Sequence, residues 1–142
     1  MWREPIGVLA GAFLWMAGFF LLAIGMAQIW SDYALHGRDW FEQGIFTFTA
    51  AMAWCNVAFW AVADLWAGWI TAKIARTRRA VLVLALLIVG YLALMHFVLS
   101  WDDFPWWYNV GVVLPALPAI LLGDWIGRTL PVARSVRAAS DA

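Results

Sequence analysis

Charge, cysteine and histidine are all scarce in this chain of 142 residues. Only 13% of its residues are charged, nine basic and nine acidic, against roughly 25% in an ordinary soluble domain. That scarcity excludes a charge-rich disordered chain, and the absence of a basic cluster beyond short loops argues against a nucleic-acid partner. One cysteine, Cys55, excludes a disulfide framework and a cysteine-cage metal site. Two histidines, His36 and His96, leave no HExxH and no repeated histidine motif. Hydrophobic residues, in contrast, make up 65% of the chain and include 12 tryptophans. That composition excludes a soluble globular protein, and the length allows one domain.

Hydropathy marks four spans, at about residues 5–30, 45–72, 80–100 and 109–126. Pro5 to Trp30 carries no charge, and Ile45 to Ala72 carries only Asp64. About 20 helical residues cross a hydrocarbon core of roughly 30 Å, so the expected fold is an all-α bundle of four transmembrane helices. The first span is too long and too poorly flanked for a cleaved signal peptide. Arg3, the run Lys73, Arg76, Arg78, Arg79, and the group Arg128, Arg134, Arg137 all fall on one side of a four-span chain. Only Arg38 falls on the other, beside Asp32, Asp39, Glu42, Asp102 and Asp103. The positive-inside rule then places both termini in the cytoplasm, with 127–142 as a short basic tail. A bacterial inner membrane is the expected location. Trp30, Tyr33, Trp40, Trp101, Trp106, Trp107 and Tyr108 are expected as an outer aromatic belt, while Trp15, Trp54 and Trp60 lie deeper.

Small residues predict the packing. Gly7, Gly11, Gly18 and Gly25 form a stripe on the first span, read as a seam against a neighbouring helix. Pro115 and Pro118 predict a kink in the fourth span, and Asp124 with Arg128 an i,i+4 pair.

Three groups of polar residues are candidates for chemistry. Asp32, His36 and His96 join imidazole to carboxylate on the outer side and are a candidate metal set, with Gly37 expected to end any regular helix between the first two spans. His96 alone could ligate a tetrapyrrole among the tryptophans, and Ser100, Asp102 and Asp103 adjoin it. Within the membrane, Asn56 and Asp64 are expected to face protein or water. A carboxylate at the helix centre costs about 2.5–3.5 kcal/mol on insertion scales. Arg79 and Arg128 are its conceivable partners.

Tyr33 after the first span, Trp40-Phe41-Glu42 opening the second, and Trp106 to Pro118 in the fourth carry a resemblance. In their placement they are similar to residues of the small membrane subunits of tripartite ATP-independent periplasmic transporters. Asp32 and Gln43 depart from that family's pattern. The resemblance implies a four-span subunit of a secondary transporter.

The chain has no dense catalytic constellation and no soluble domain. Its sequence leads to the expectation of a non-catalytic accessory or assembly subunit of a larger respiratory, photosynthetic or transport complex. Such a subunit would contact lipid, larger membrane subunits and a periplasmic partner. The alternatives are the transporter subunit and an outer-face metal- or tetrapyrrole-binding redox protein. Which cofactor, if any, is not specified by the residues.

Overall fold

The computed structural model describes residues 2–129. The regular elements within them are all helices: α1 (Arg3–Ile29), α2 (Ser31–Gln43), α3 (Ala50–Ala75), α4 (Arg78–Ala93), α5 (Trp106–Val113) and α6 (Ala116–Thr129). A π-helical segment, Leu94–Leu99, continues α4. Four stretches are long and apolar enough to cross a membrane: Arg3–Ile29, Ala50–Ala75, Arg78–Leu99 and Trp106–Thr129. The expected spans therefore correspond to helices, with ends displaced by up to five residues. The second starts at Ala50, where the Thr49 hydroxyl accepts a hydrogen bond from the Met52 N–H at 3.4 Å. The proposed tail from 130 onward lies outside the described residues.

The segment after the first span differs most from expectation. Gly37 does not end the helix: α1 breaks at Trp30, whose backbone turns to φ −134°, and α2 restarts at once and runs past Gly37. Its stop is Gly44, left-handed at φ 69°, where a side chain would be strained. Trp40-Phe41-Glu42 thus belongs to a separate helix and does not open the second span. At the prolines the expected disruption occurs. Leu114 and Pro115 separate α5 from α6, and Pro118 falls in the first turn of α6, where its missing N–H costs no internal bond.

Helix α3 is the centre of the bundle, with α1 on one flank and α6 on the other, while α4 touches all three. Glycine and alanine make this close approach possible. An added Cβ on Gly7 would lie 2.8 Å from the Ala75 Cβ, and one on Gly11 only 2.0 Å from the Thr71 hydroxyl oxygen. That hydroxyl donates to the Gly7 carbonyl at 3.0 Å. Gly18 meets Trp66, whereas Gly25 has no neighbour within 4 Å, so the predicted seam covers three of its four glycines. On the other flank Gly68 lies against the Ile120 carbonyl and Gly123 against the Leu65 carbonyl. These reciprocal contacts run parallel, whereas those of α1 with α3 run antiparallel.

The helix directions gather Arg3, Lys73, Arg76, Arg78, Arg79 and Arg128 at one end. There Arg3, Glu4, Ala75 and Thr77 line one cleft, and Arg128 bonds both Asp124 at 2.7 Å and the Arg76 carbonyl at 3.4 Å. Asp32, Asp39, Glu42, Asp102 and Asp103 lie toward the other end. The helices expose many large apolar side chains, among them Leu9, Phe13, Leu86 and Leu114, which suggests contact with lipid.

Candidate functional site

The acidic end is roofed by α2. Its Tyr33 is buried, and the phenol O–H donates to the Asn56 side-chain carbonyl on α3. This bond fastens α2 onto the bundle. Burial, with a smaller contribution from Cys55, pushes the Tyr33 phenol up to about 12. His36 faces Thr47 across the connection to α3, with Nδ1 2.7 Å from the hydroxyl oxygen. Tyr33 and Tyr108, expected in an interfacial belt, are core residues instead. Each brings a ring to the aromatic cluster around Phe46, Phe48 and Phe104.

Between α1, α2, α3, α4 and α5 lies a cavity of about 360 Å³. Small-molecule sites occupy roughly 300–1,000 Å³. Phe19, Phe20, Trp60, Tyr91, Phe104 and Tyr108 supply aromatic walls, and Trp40, Gly44, Ser100 and Asp103 also line it. Trp60 is held in place by stacking on Phe19 with ring centres 3.8 Å apart. A second cavity of about 190 Å³ shares Phe19, Phe20 and Trp40 and reaches the Tyr33–Asn56 pair.

His96 lines the larger cavity and is fixed by a short relay. Its Nδ1 lies 3.0 Å from the Asn109 side-chain oxygen, and the Asn109 amide nitrogen donates to the Trp101 carbonyl at 3.2 Å. Since the Asn109 nitrogen is committed as donor, its oxygen accepts from the His96 Nδ1–H. The neutral imidazole in that tautomer keeps its lone pair on Nε2. The π-helical turn at Leu94–Leu99 carries His96 into this position; in it the Ser100 N–H reaches back five residues to the Met95 carbonyl at 2.9 Å.

Asp64 has no exposed surface, and neither of its oxygens has a hydrogen-bond partner. The indole of Trp15 is close enough to interact with it, but no hydrogen bond of normal geometry closes, and Trp15 Nε1 is itself unpartnered. Arg79 and Arg128, the partners considered from sequence, do not pair with it; Arg128 is engaged by Asp124.

The other expected site residues separate. Among the described residues no three His, Cys, Asp or Glu side chains lie close enough to hold a metal, so Asp32, His36 and His96 are not brought together as a ligand set. Asp32 and Glu42 are exposed and do not line the cavity; Ser100 and Asp103 do. Trp101, Trp106 and Trp107, expected in the outer aromatic belt, do not line the cavity, and Trp107 stacks on Trp54 at 5.2 Å. Sequence reasoning missed the roles of Asn109 and Tyr33. An amide inside an apolar span was a readable signal for Asn109. Nothing in the spacing of Tyr33 and Asn56 pointed to their bond.

The tripartite-transporter resemblance gains no support from comparison: no family model matches the chain, and neither a curated protein nor a solved structure matches it.

Proposed function

We propose that this chain is an integral protein of a bacterial inner membrane, with both termini cytoplasmic, that binds a small amphipathic molecule at its outer end. The ligand has an apolar, flat body and a hydrogen-bond donor. The observation that carries this reading is His96: Asn109 presets its Nε2 lone pair, and the residue lines a cavity otherwise built mainly of aromatic and aliphatic side chains. A few oriented polar groups in a mostly apolar cavity are what such sites require. His96 is oriented to accept a hydrogen bond from a molecule in the cavity, and the role inferred is binding.

The test is equilibrium dialysis of naphthylethanol against the protein in lipid nanodiscs, with empty nanodiscs subtracted. Saturable binding is expected, and Ser100→Trp, which fills the cavity from its lining, should abolish it. No saturable binding, or equal binding by Ser100→Trp, would overturn the proposal.

The stacked Trp54–Trp107 pair favours a second reading, that of an accessory subunit. Trp54 is 57% exposed on the outside of α3, where a larger membrane subunit could dock. Purification in mild detergent separates the readings. Co-purifying large subunits lost in Trp54→Ala select the second, and saturable naphthylethanol binding by the chain alone selects the first.

A further inference from the structure

Two acidic side chains are buried among the described residues, Asp64 and Asp124. Asp124 pairs with Arg128, and Asp64 with nothing. Asp64 is four residues beyond Trp60, which puts it on the same face of α3 and about 6 Å further from the acidic end. Trp60 is a cavity wall. Trp15 packs against that wall from below, 5.0 Å from Trp60 and 5.7 Å edge-on from Tyr91. Directly under the cavity floor there is thus a carboxyl and an indole N–H, both buried, adjacent, and both unsatisfied. Buried polar groups without partners are rare and mark a place where a ligand or water completes the bonding.

The cavity has a charge preference of its own. Neither lysine nor arginine lines it, Asp103 does, and its walls are aromatic. Aromatic faces attract cations, most strongly when water is excluded. His96 marks the outer part of the cavity. Counting helical rise through the shared neighbours Tyr91 and Trp60, Asp64 lies about 13 Å from it along the bundle.

We propose that the ligand carries two polar ends, a donor that meets His96 Nε2 and a protonated amine that reaches Asp64 past Trp15, with a flat aromatic body between them. The proposal rests on the binding function above and names its substrate class. The Trp15 indole touches both Trp60 of the cavity wall and the carboxyl, and in this proposal it turns aside when the ammonium enters. Trp60 and Trp15 then offer ring faces to the charge, and Asp64 balances it.

Two probes test this in lipid nanodiscs by equilibrium dialysis. Both are naphthylethanols substituted on the far ring edge, one with an aminoethyl arm and the other with a propyl arm of equal length. The amine should bind wild type at least ten-fold more tightly than the propyl compound. Asp64→Asn should erase that preference while leaving propyl binding unchanged, and Asp64→Glu should retain part of it. Asp103→Asn, at the opposite end of the cavity, should keep the preference within about three-fold, and if Asp64→Asn fails to fold, Asp64→Glu decides the matter, since a preference unaltered in it would overturn the role of Asp64. Equal binding of the two probes to wild type would overturn the amine proposal and leave the cavity function standing. Loss of the preference in Asp103→Asn alone would move the counter-charge to the mouth and overturn the role of Asp64. If neither probe binds, the cavity function falls, and this proposal with it.

Discussion

The contact between α3 and α6 makes a sharp prediction for Gly123→Ala. A Cβ built on Gly123 would lie 2.1 Å from the Leu65 carbonyl oxygen and 2.8 Å from the Trp69 backbone nitrogen. Both neighbours are backbone atoms, so no side chain can rotate away. Bringing the oxygen out to 3.0 Å requires the two helices to separate by about 0.9 Å, which loosens the reciprocal Gly68 contact as well. Overpacking costs typically about 1–3 kcal/mol, and a clash with backbone on both sides belongs at the upper end. Alanine is favoured over glycine inside a helix by about 1 kcal/mol. Packing wins, and the net loss should be about 2 kcal/mol. At Gly90, where an added Cβ meets nothing within 4 Å, only the propensity acts, and Gly90→Ala should be neutral or stabilising. Thermal unfolding in detergent, read by size-exclusion chromatography with tryptophan fluorescence, compares the two. If Gly123→Ala melts at or above wild type, or Gly90→Ala loses as much, the close backbone contact is not what holds α6 to α3.

Further tests address the site. Asn109→Leu should cost about 1–3 kcal/mol, because it leaves the buried His96 Nδ1–H without its acceptor; it should also weaken naphthylethanol binding, and unchanged affinity would deny the relay its orienting role. Asp64→Asn should leave the melting temperature unchanged or raised, since an unpartnered buried carboxyl stabilises nothing; a steep loss would show a structural partner. The Tyr33 phenol ionises at about 12 in the folded protein against 10.0 in a free chain, so its stabilisation is complete below pH 10 and is lost as pH rises toward 12. Wild type should therefore show a loosening of α2 in that window which Tyr33→Phe lacks; an identical alkaline transition in both would remove Tyr33 as its cause. Topology reporters after residues 37 and 103 should lie outside and one after residue 77 inside, and an outside signal at 77 would invert the proposed orientation.

Elements that depend on local composition were legible in the sequence. Long apolar runs gave four helices because a helix satisfies its own backbone regardless of what surrounds it. The Asp124–Arg128 pair followed from i,i+4 spacing alone. The glycine seam on α1 was readable as a seam, but its partner α3 was not, because identical small residues suit any neighbour. Gly123 and Gly127 form the same small-residue spacing on α6 and carry no such signal of their partner, although Gly123 approaches its neighbour more closely than Gly7, Gly18 or Gly25 does. The continuation of α2 past Gly37 was misread: a glycine weakens a helix by about 1 kcal/mol, and the docking of Tyr33 outweighs it. At the site, the importance of His96, Ser100 and Asp64 was visible as polarity in apolar surroundings. Their arrangement was not, since the π-helical turn that places His96 leaves no signature in residue type, and residues 15, 60 and 91 meet only through tertiary packing.

In the proposed complex His96 offers an unprotonated Nε2 to the ligand in the cavity it lines. Nitrogen-15 labelling of histidine reads this directly, since the chain has two histidines and only His96 lines the cavity. In lipid nanodiscs His96 should show a protonated Nδ1 and a bare Nε2. Saturation with naphthylethanol should shift the Nε2 resonance while leaving His36 in place. A proton found on Nε2, or a His96 signal that does not move when the probe is saturating, would contradict the account.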